Sequence, residues 1–159
     1  MTLEALNDLD NATRAEALYH CCGSMAWVEK MLAFFPLADK PALLEAASKT
    51  WHACTENDWL EAFAQHPRIG ANTTNAQAAA EQSGASGAPL QVRTALAERN
   101  SAYEAKFGYI YIVCATGKSA TEMLDLLEGR LSNTPEKELG IAMGEQDKIT
   151  RIRLEKLLA

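Results

Sequence analysis

The chain has no run of about 18 apolar residues, so no segment reads as a membrane span. It has no glycine-rich phosphate loop, no dinucleotide fingerprint and no nucleophile elbow. Basic residues are the minority: 15 Lys and Arg stand against 21 Asp and Glu, a net charge of −6. That balance argues against a nucleic acid or an anionic membrane as partner, and leaves room for a local basic pocket holding a small anion. Met1-Thr2-Leu3-Glu4 lacks a leader pattern and Leu157-Leu158-Ala159 carries no peroxisomal address, so the expected compartment is the cytoplasm. The four cysteines, Cys21, Cys22, Cys54 and Cys114, form no Cys-x-x-Cys pair and read as buried reduced thiols. On a helix, His20, Cys21 and Cys22 point about 100° apart and do not close on one ion, so no metal site is expected.

What is present is helix. The 159 residues, 48% of them hydrophobic, suit one compact domain over 1–159 with a core that needs no staple. The pattern predicts an all-α fold of about eight helices with one extended apolar segment near 109–114. Short or split helices are expected over 3–9, 14–22 and 24–34, the last two divided at Gly23, with Ser24 as N-cap. A helix over 42–53 has Pro41 in its first turn. Thr55 and Asp58 form a capping box for the next helix, which Pro67 stops at His66. Residues 72–75 offer caps for an alanine-rich helix through Gln82. Ser83-Gly84 and Ser86-Gly87 then break the chain, and this patch is the expected mobile one. Pro89 opens a long helix with Val92, Leu96, Asn100, Tyr103 and Phe107 on one face, ended by Gly108. Helices over 120–131 and from Pro135 nearly to the end complete the chain. The run Tyr109-Ile110-Tyr111-Ile112-Val113-Cys114 is strongly β-prone and has no sheet partner in the sequence.

Four features bear on chemistry. His66, at a helix end before a proline, is either a C-terminal cap or an acid–base group. Glu81 lies near a helix C-terminus among alanines, with Gln82 beside it; it is either a solvated residue or a carboxylate open to a ligand. Arg153 follows Ile149 by four and precedes Leu157 by four, on an apolar stripe. A guanidinium there needs an anion, from the protein or from a ligand. The β-prone run, if buried and unpaired, needs partners for its backbone groups. A flat, amide-rich small molecule, a strand across a homodimer or a helical conformation would each supply them.

Trp27, His66-Pro67-Arg68-Ile69-Gly70, Glu81-Gln82, the run from Lys106 through Ala115, Gly117-Lys118-Ser119 and the stretch from Lys148 to Leu154 share an order and spacing that resembles one family closely. The sequence is similar to the 2-oxo-4-hydroxy-4-carboxy-5-ureidoimidazoline (OHCU) decarboxylases. The resemblance implies a cofactor-free, metal-free homodimeric carboxy-lyase of urate breakdown that gives (S)-allantoin. It implies His66 and Glu81 as catalytic residues. It further implies substrate contacts at Pro67, Ala78, Gln82, Tyr111, Ile112, Val113, Cys114, Ala115 and Arg153. Many members have Ser where this chain has Ala78, so a hydroxyl contact is lost there and only a backbone contact survives.

Two other readings compete. A non-catalytic helical module would keep the pocket and bind a small ligand without turnover. Hydrolysis of 5-hydroxyisourate belongs to a β-rich fold, and this chain lacks the strands.

Overall fold

The computed structural model describes residues 1–70, 75–85 and 87–159. Among the described residues, nine α-helices and one 3₁₀ turn account for the regular structure, with no strand. They fall into two compact units, 1–62 with 146–159 and 63–145.

The first unit opens with α1 (Leu3–Asp8) and α2 (Asn11–Cys21). Helix α2 starts three residues earlier than the apolar pattern alone predicts, because Asp10 caps it by accepting the Thr13 N–H at 2.8 Å. Arg14, in its first turn, is buried and donates to the carbonyls of Leu6, Asn7 and Leu9 at 3.0, 2.5 and 2.6 Å. Those carbonyls lie at the end of α1, where a helix leaves its acceptors unpaired. Ser24 caps α3 (Met25–Leu32) as the sequence indicates, and α3 ends two residues short of the expected 34. Asp39 caps α4 (Lys40–Ala53), with Pro41 in the first turn.

Thr55 and Asp58 cap α5 (Glu56–Phe63) reciprocally: Thr55 N–H donates to the Asp58 carboxylate at 2.9 Å, and Asp58 N–H to Thr55 Oγ1 at 3.4 Å. The second half of α9 (Pro135–Leu157) closes the unit. Its core holds Leu18, Trp27, Leu43 and Trp51, and the Trp27 indole donates to the Ala47 carbonyl at 3.0 Å. All four cysteines are buried.

The second unit contains α6 (Ala76–Glu81), the 3₁₀ turn Ser83–Ala85, α7 (Leu90–Phe107), α8 (Ala120–Arg130) and the first half of α9. Of the caps expected over 72–75, Asn75 accepts the Ala78 N–H at 3.1 Å; residues 72–74 and the expected break at Ser86 lie outside the described residues. Gly108 ends α7 in the left-handed conformation, φ +83°. The apolar cluster gathers Ile69, Ala85, Leu96, Tyr103, Tyr111 and Met123 with their neighbours. It therefore joins the loop after His66, the turn after Glu81 and the β-prone run.

Candidate active site

Helix α5 stops at Phe63, three residues before His66, which enters a turn and donates its N–H to the Phe63 carbonyl at 3.2 Å. The helix end that the sequence places on His66 is thus earlier, and His66 itself is half-buried in the exit loop. The loop is tied at three successive residues. Arg68 makes two bonds to the Glu104 carboxylate, at 2.8 and 2.7 Å, and that carboxylate holds its guanidinium above the usual range. The Ile69 carbonyl accepts from buried Asn100 Nδ2 at 3.2 Å. The Gly70 N–H donates to Gln82 Oε1 at 3.1 Å, with Gly70 at φ +84°, a conformation that glycine adopts without steric cost.

Glu81 is the last residue of α6 and half-buried, as is Gln82 after it. Ala78 is buried, and both of its backbone groups already serve the helix: the N–H goes to Asn75 and the carbonyl accepts the Gln82 N–H at 3.0 Å. The turn Ser83–Ala85 follows at once.

The β-prone run adopts neither helix nor strand. Tyr111, Ile112, Val113, Cys114 and Ala115 are all buried. Charged side chains take much of the pairing that a sheet would supply. Arg130 Nη1 donates to the Ile112 carbonyl at 2.6 Å. Glu145 accepts the Cys114 N–H at 3.1 Å, and Lys118 Nζ donates to the Cys114 carbonyl at 2.7 Å.

Behind this segment stands a buried network that the sequence did not reveal. Glu138, 0% exposed, accepts from Arg130 Nε at 2.6 Å and from the Tyr103 hydroxyl at 2.6 Å, forms an ion pair with Arg130 Nη2 at 2.5 Å, and accepts from Asn133 on its other oxygen at 3.0 Å. The guanidinium lies over the Tyr111 ring at 4.8 Å. Burial alone would lower the Arg130 pKa; the Glu138 carboxylate and the two tyrosines outweigh it and hold Arg130 charged. Burial raises the phenol pKa of both Tyr103 and Tyr111, so neither is an acid–base group near neutrality. The only signal in the sequence was a pair of charges eight apart, which by itself reads as two solvated residues.

Arg153 belongs to the first unit. It is 8% exposed, as its place on an apolar stripe implies, and Nη1 donates to the His20 carbonyl at 3.4 Å. Among the described residues, no cluster of three or more His, Cys, Asp or Glu is placed to hold a metal ion.

The family model for OHCU decarboxylase matches residues 7–155. The uric acid degradation bifunctional protein TTL of Arabidopsis thaliana is 40% identical over 151 residues, 87% of this chain and 45% of that protein. The chain thus spans less than half the length of that relative. The 2-oxo-4-hydroxy-4-carboxy-5-ureidoimidazoline decarboxylase of Halalkalicoccus jeotgali is 26% identical over 99% of this chain and 92% of its own. A crystal structure of OHCU decarboxylase in the presence of (S)-allantoin is similar at TM-score 0.78 and 38% identity, covering 88% of this chain and 95% of that one. A crystal structure of (S)-allantoin synthase, at 20% identity and TM-score 0.76, shares the fold. Fold and relatives together define the class, the all-α fold that these decarboxylases share. The chain belongs to the OHCU decarboxylase family.

Proposed function

We propose that this chain decarboxylates OHCU to (S)-allantoin, with residues 1–159 acting as one decarboxylase domain. The structural observation that carries the reading is the Gln82–Gly70 hydrogen bond. It ties the loop bearing His66 and Pro67 to the helix end bearing Glu81, so the two candidate catalytic residues flank one short, braced connection.

The substrate carries a carboxylate and a hydroxyl on one ring carbon, next to a C=N bond. When the bond to CO₂ breaks, its electron pair flows toward that C=N, whose nitrogen takes a proton, and the enol of allantoin remains. The substrate is its own electron sink. Ketonisation then removes the hydroxyl proton and places one on the ureido-bearing carbon, which becomes the stereocentre. His66 exchanges these protons, and Glu81 orients the ring or the imidazole. Delivery from one face yields one enantiomer. Arg153 binds the carboxylate or a ring carbonyl. The backbone of 111–115, Pro67 and Gln82 complete the recognition, and Ala78 offers no hydroxyl.

The resemblance also carries a homodimer working in the cytoplasm; among the described residues, no helix is long and apolar enough to cross a membrane.

The test is turnover of freshly generated OHCU followed by circular dichroism. His66→Asn is expected to slow chirally pure allantoin formation by about 10²–10⁴-fold; an unchanged rate and an unchanged enantiomer remove His66 from the mechanism. Arg153→Gln is expected to raise KM, and unaltered kinetics reduce it to a structural residue.

A further inference from the structure

Gly117-Lys118-Ser119 stands out in the sequence, yet the proposed reaction assigns it no part. Two of its three residues have a local explanation. Gly117, at φ +78°, makes the turn in which the Lys118 N–H donates to the Ala115 carbonyl at 3.0 Å. Ser119 caps α8 by accepting the Glu122 N–H at 3.1 Å. Lys118 needs neither role, and it does two other things. Its ammonium grips the Cys114 carbonyl at 2.7 Å, while Glu145 grips the N–H of the same residue at 3.1 Å. Its own carbonyl packs so closely on Gly84 that a methyl group built there would lie 1.9 Å from that oxygen and 2.9 Å from its carbon. Gly84 is two residues past Gln82.

We propose that Lys118 is a positioning residue that locks two substrate-facing segments to each other, 111–115 through its side chain and the turn after Glu81-Gln82 through its backbone. The charge-assisted bond sets the Cys114 peptide in a region without strand pairing. The Gly84 contact is backbone on backbone, so neither partner can yield by rotating a side chain. A shift of the 115–118 turn therefore moves both segments together. That these segments face substrate rests on the function proposed above; the mechanical coupling does not.

Lys118→Met, which keeps the stem and removes the ammonium, and Lys118→Arg, which keeps a donor, test the side chain; Gly84→Ala tests the backbone contact. The first readout is amide hydrogen exchange, with no substrate present. Lys118→Met is expected to speed exchange about tenfold or more in peptides covering 110–115 and 79–85, with Leu96–Tyr103 unchanged. Gly84→Ala is expected to speed exchange in 110–115 as well as in its own turn. The second readout is kinetic: Lys118→Met lowers kcat/KM for OHCU by about tenfold or more, and Lys118→Arg recovers most of it. Exchange that changes in only one segment for both variants overturns the coupling. A fall in kcat/KM that Lys118→Arg leaves unrecovered overturns the positioning role. Failure of the unsubstituted protein to turn over OHCU overturns the proposed function and leaves the exchange test standing.

Discussion

Gln82 Oε1 accepts the Gly70 N–H at 3.1 Å across twelve residues of chain. The donor belongs to an exposed glycine in the left-handed conformation. Removing the acceptor therefore loosens one of the loop's three ties without burying an unpaired group. Gln82→Leu is expected to lower stability by about 1 kcal/mol, read as a fall of about 2–4 °C in Tm. Gly70 amide exchange is expected to speed up in the same variant. Gln82→Glu keeps an acceptor and is expected to keep Gly70 protected. Equal protection of Gly70 in the wild type and in Gln82→Leu refutes the tie.

Arg130 and Glu138 are expected to behave as one unit. Either removed alone leaves the other charge buried and uncompensated, so Arg130→Met or Glu138→Leu is expected to cost about 3–5 kcal/mol in urea unfolding. The double variant is expected to cost clearly less than the sum, because the desolvation of both ions disappears with them. Arg130→Met also strips the Ile112 carbonyl of its donor. Near-additive losses rule out a coupled pair.

Local signals were legible where the chemistry is local. Ser24, Thr55 with Asp58, Pro41 and Gly108 mark helix ends because each cap is made by residues within a few positions. The apolar stripe placed Arg153 on a buried face. The β-prone run was legible as an apolar segment without a sheet partner, but not in how its backbone groups are met. Branched and aromatic residues favour extended chain, but whether a strand forms depends on a neighbour, and here Arg130, Glu145 and Lys118 take the backbone groups instead. Arg14 was equally hidden: nothing near it in the sequence announces that it will cap the end of α1. The early start of α2 follows from Asp10, which caps it three residues ahead of the apolar pattern. For the site, His66, Glu81 and Gln82 stood out by type and motif, whereas the groups that hold their loops are far apart in sequence.

Asn100 supplies the second tie on the His66 loop. It is 3% exposed, and its amide donates to the Ile69 carbonyl at 3.2 Å. Asn100→Leu fits the apolar face of α7 but leaves a buried carbonyl without a donor. A loss of about 1–3 kcal/mol is expected, together with lower turnover as the loop carrying His66 relaxes. Stability equal to wild type, measured by thermal unfolding, shows that the carbonyl finds another partner.

Cys22 gives the chain an alkaline weakness. Burial pushes its thiol up to about 12 from an ordinary value of 9.0, with the Thr150 contact opposing only in part. The folded pKa is raised, so the stabilising effect is complete below the unfolded value. It is lost as pH rises from about 9 toward 12, because only the unfolded chain gives up the proton there. The contribution is expected to decline by at most about 1.4 kcal/mol per pH unit in that window. Cys22→Ala is expected to show a shallower fall in urea stability between about pH 9 and 11 than the unsubstituted protein. Iodoacetamide at about pH 8 is expected to spare Cys22 in the native state and to modify it in urea, as read by mass spectrometry, since only the thiolate attacks. Identical alkaline slopes, with rapid native-state labelling, contradict a buried neutral thiol.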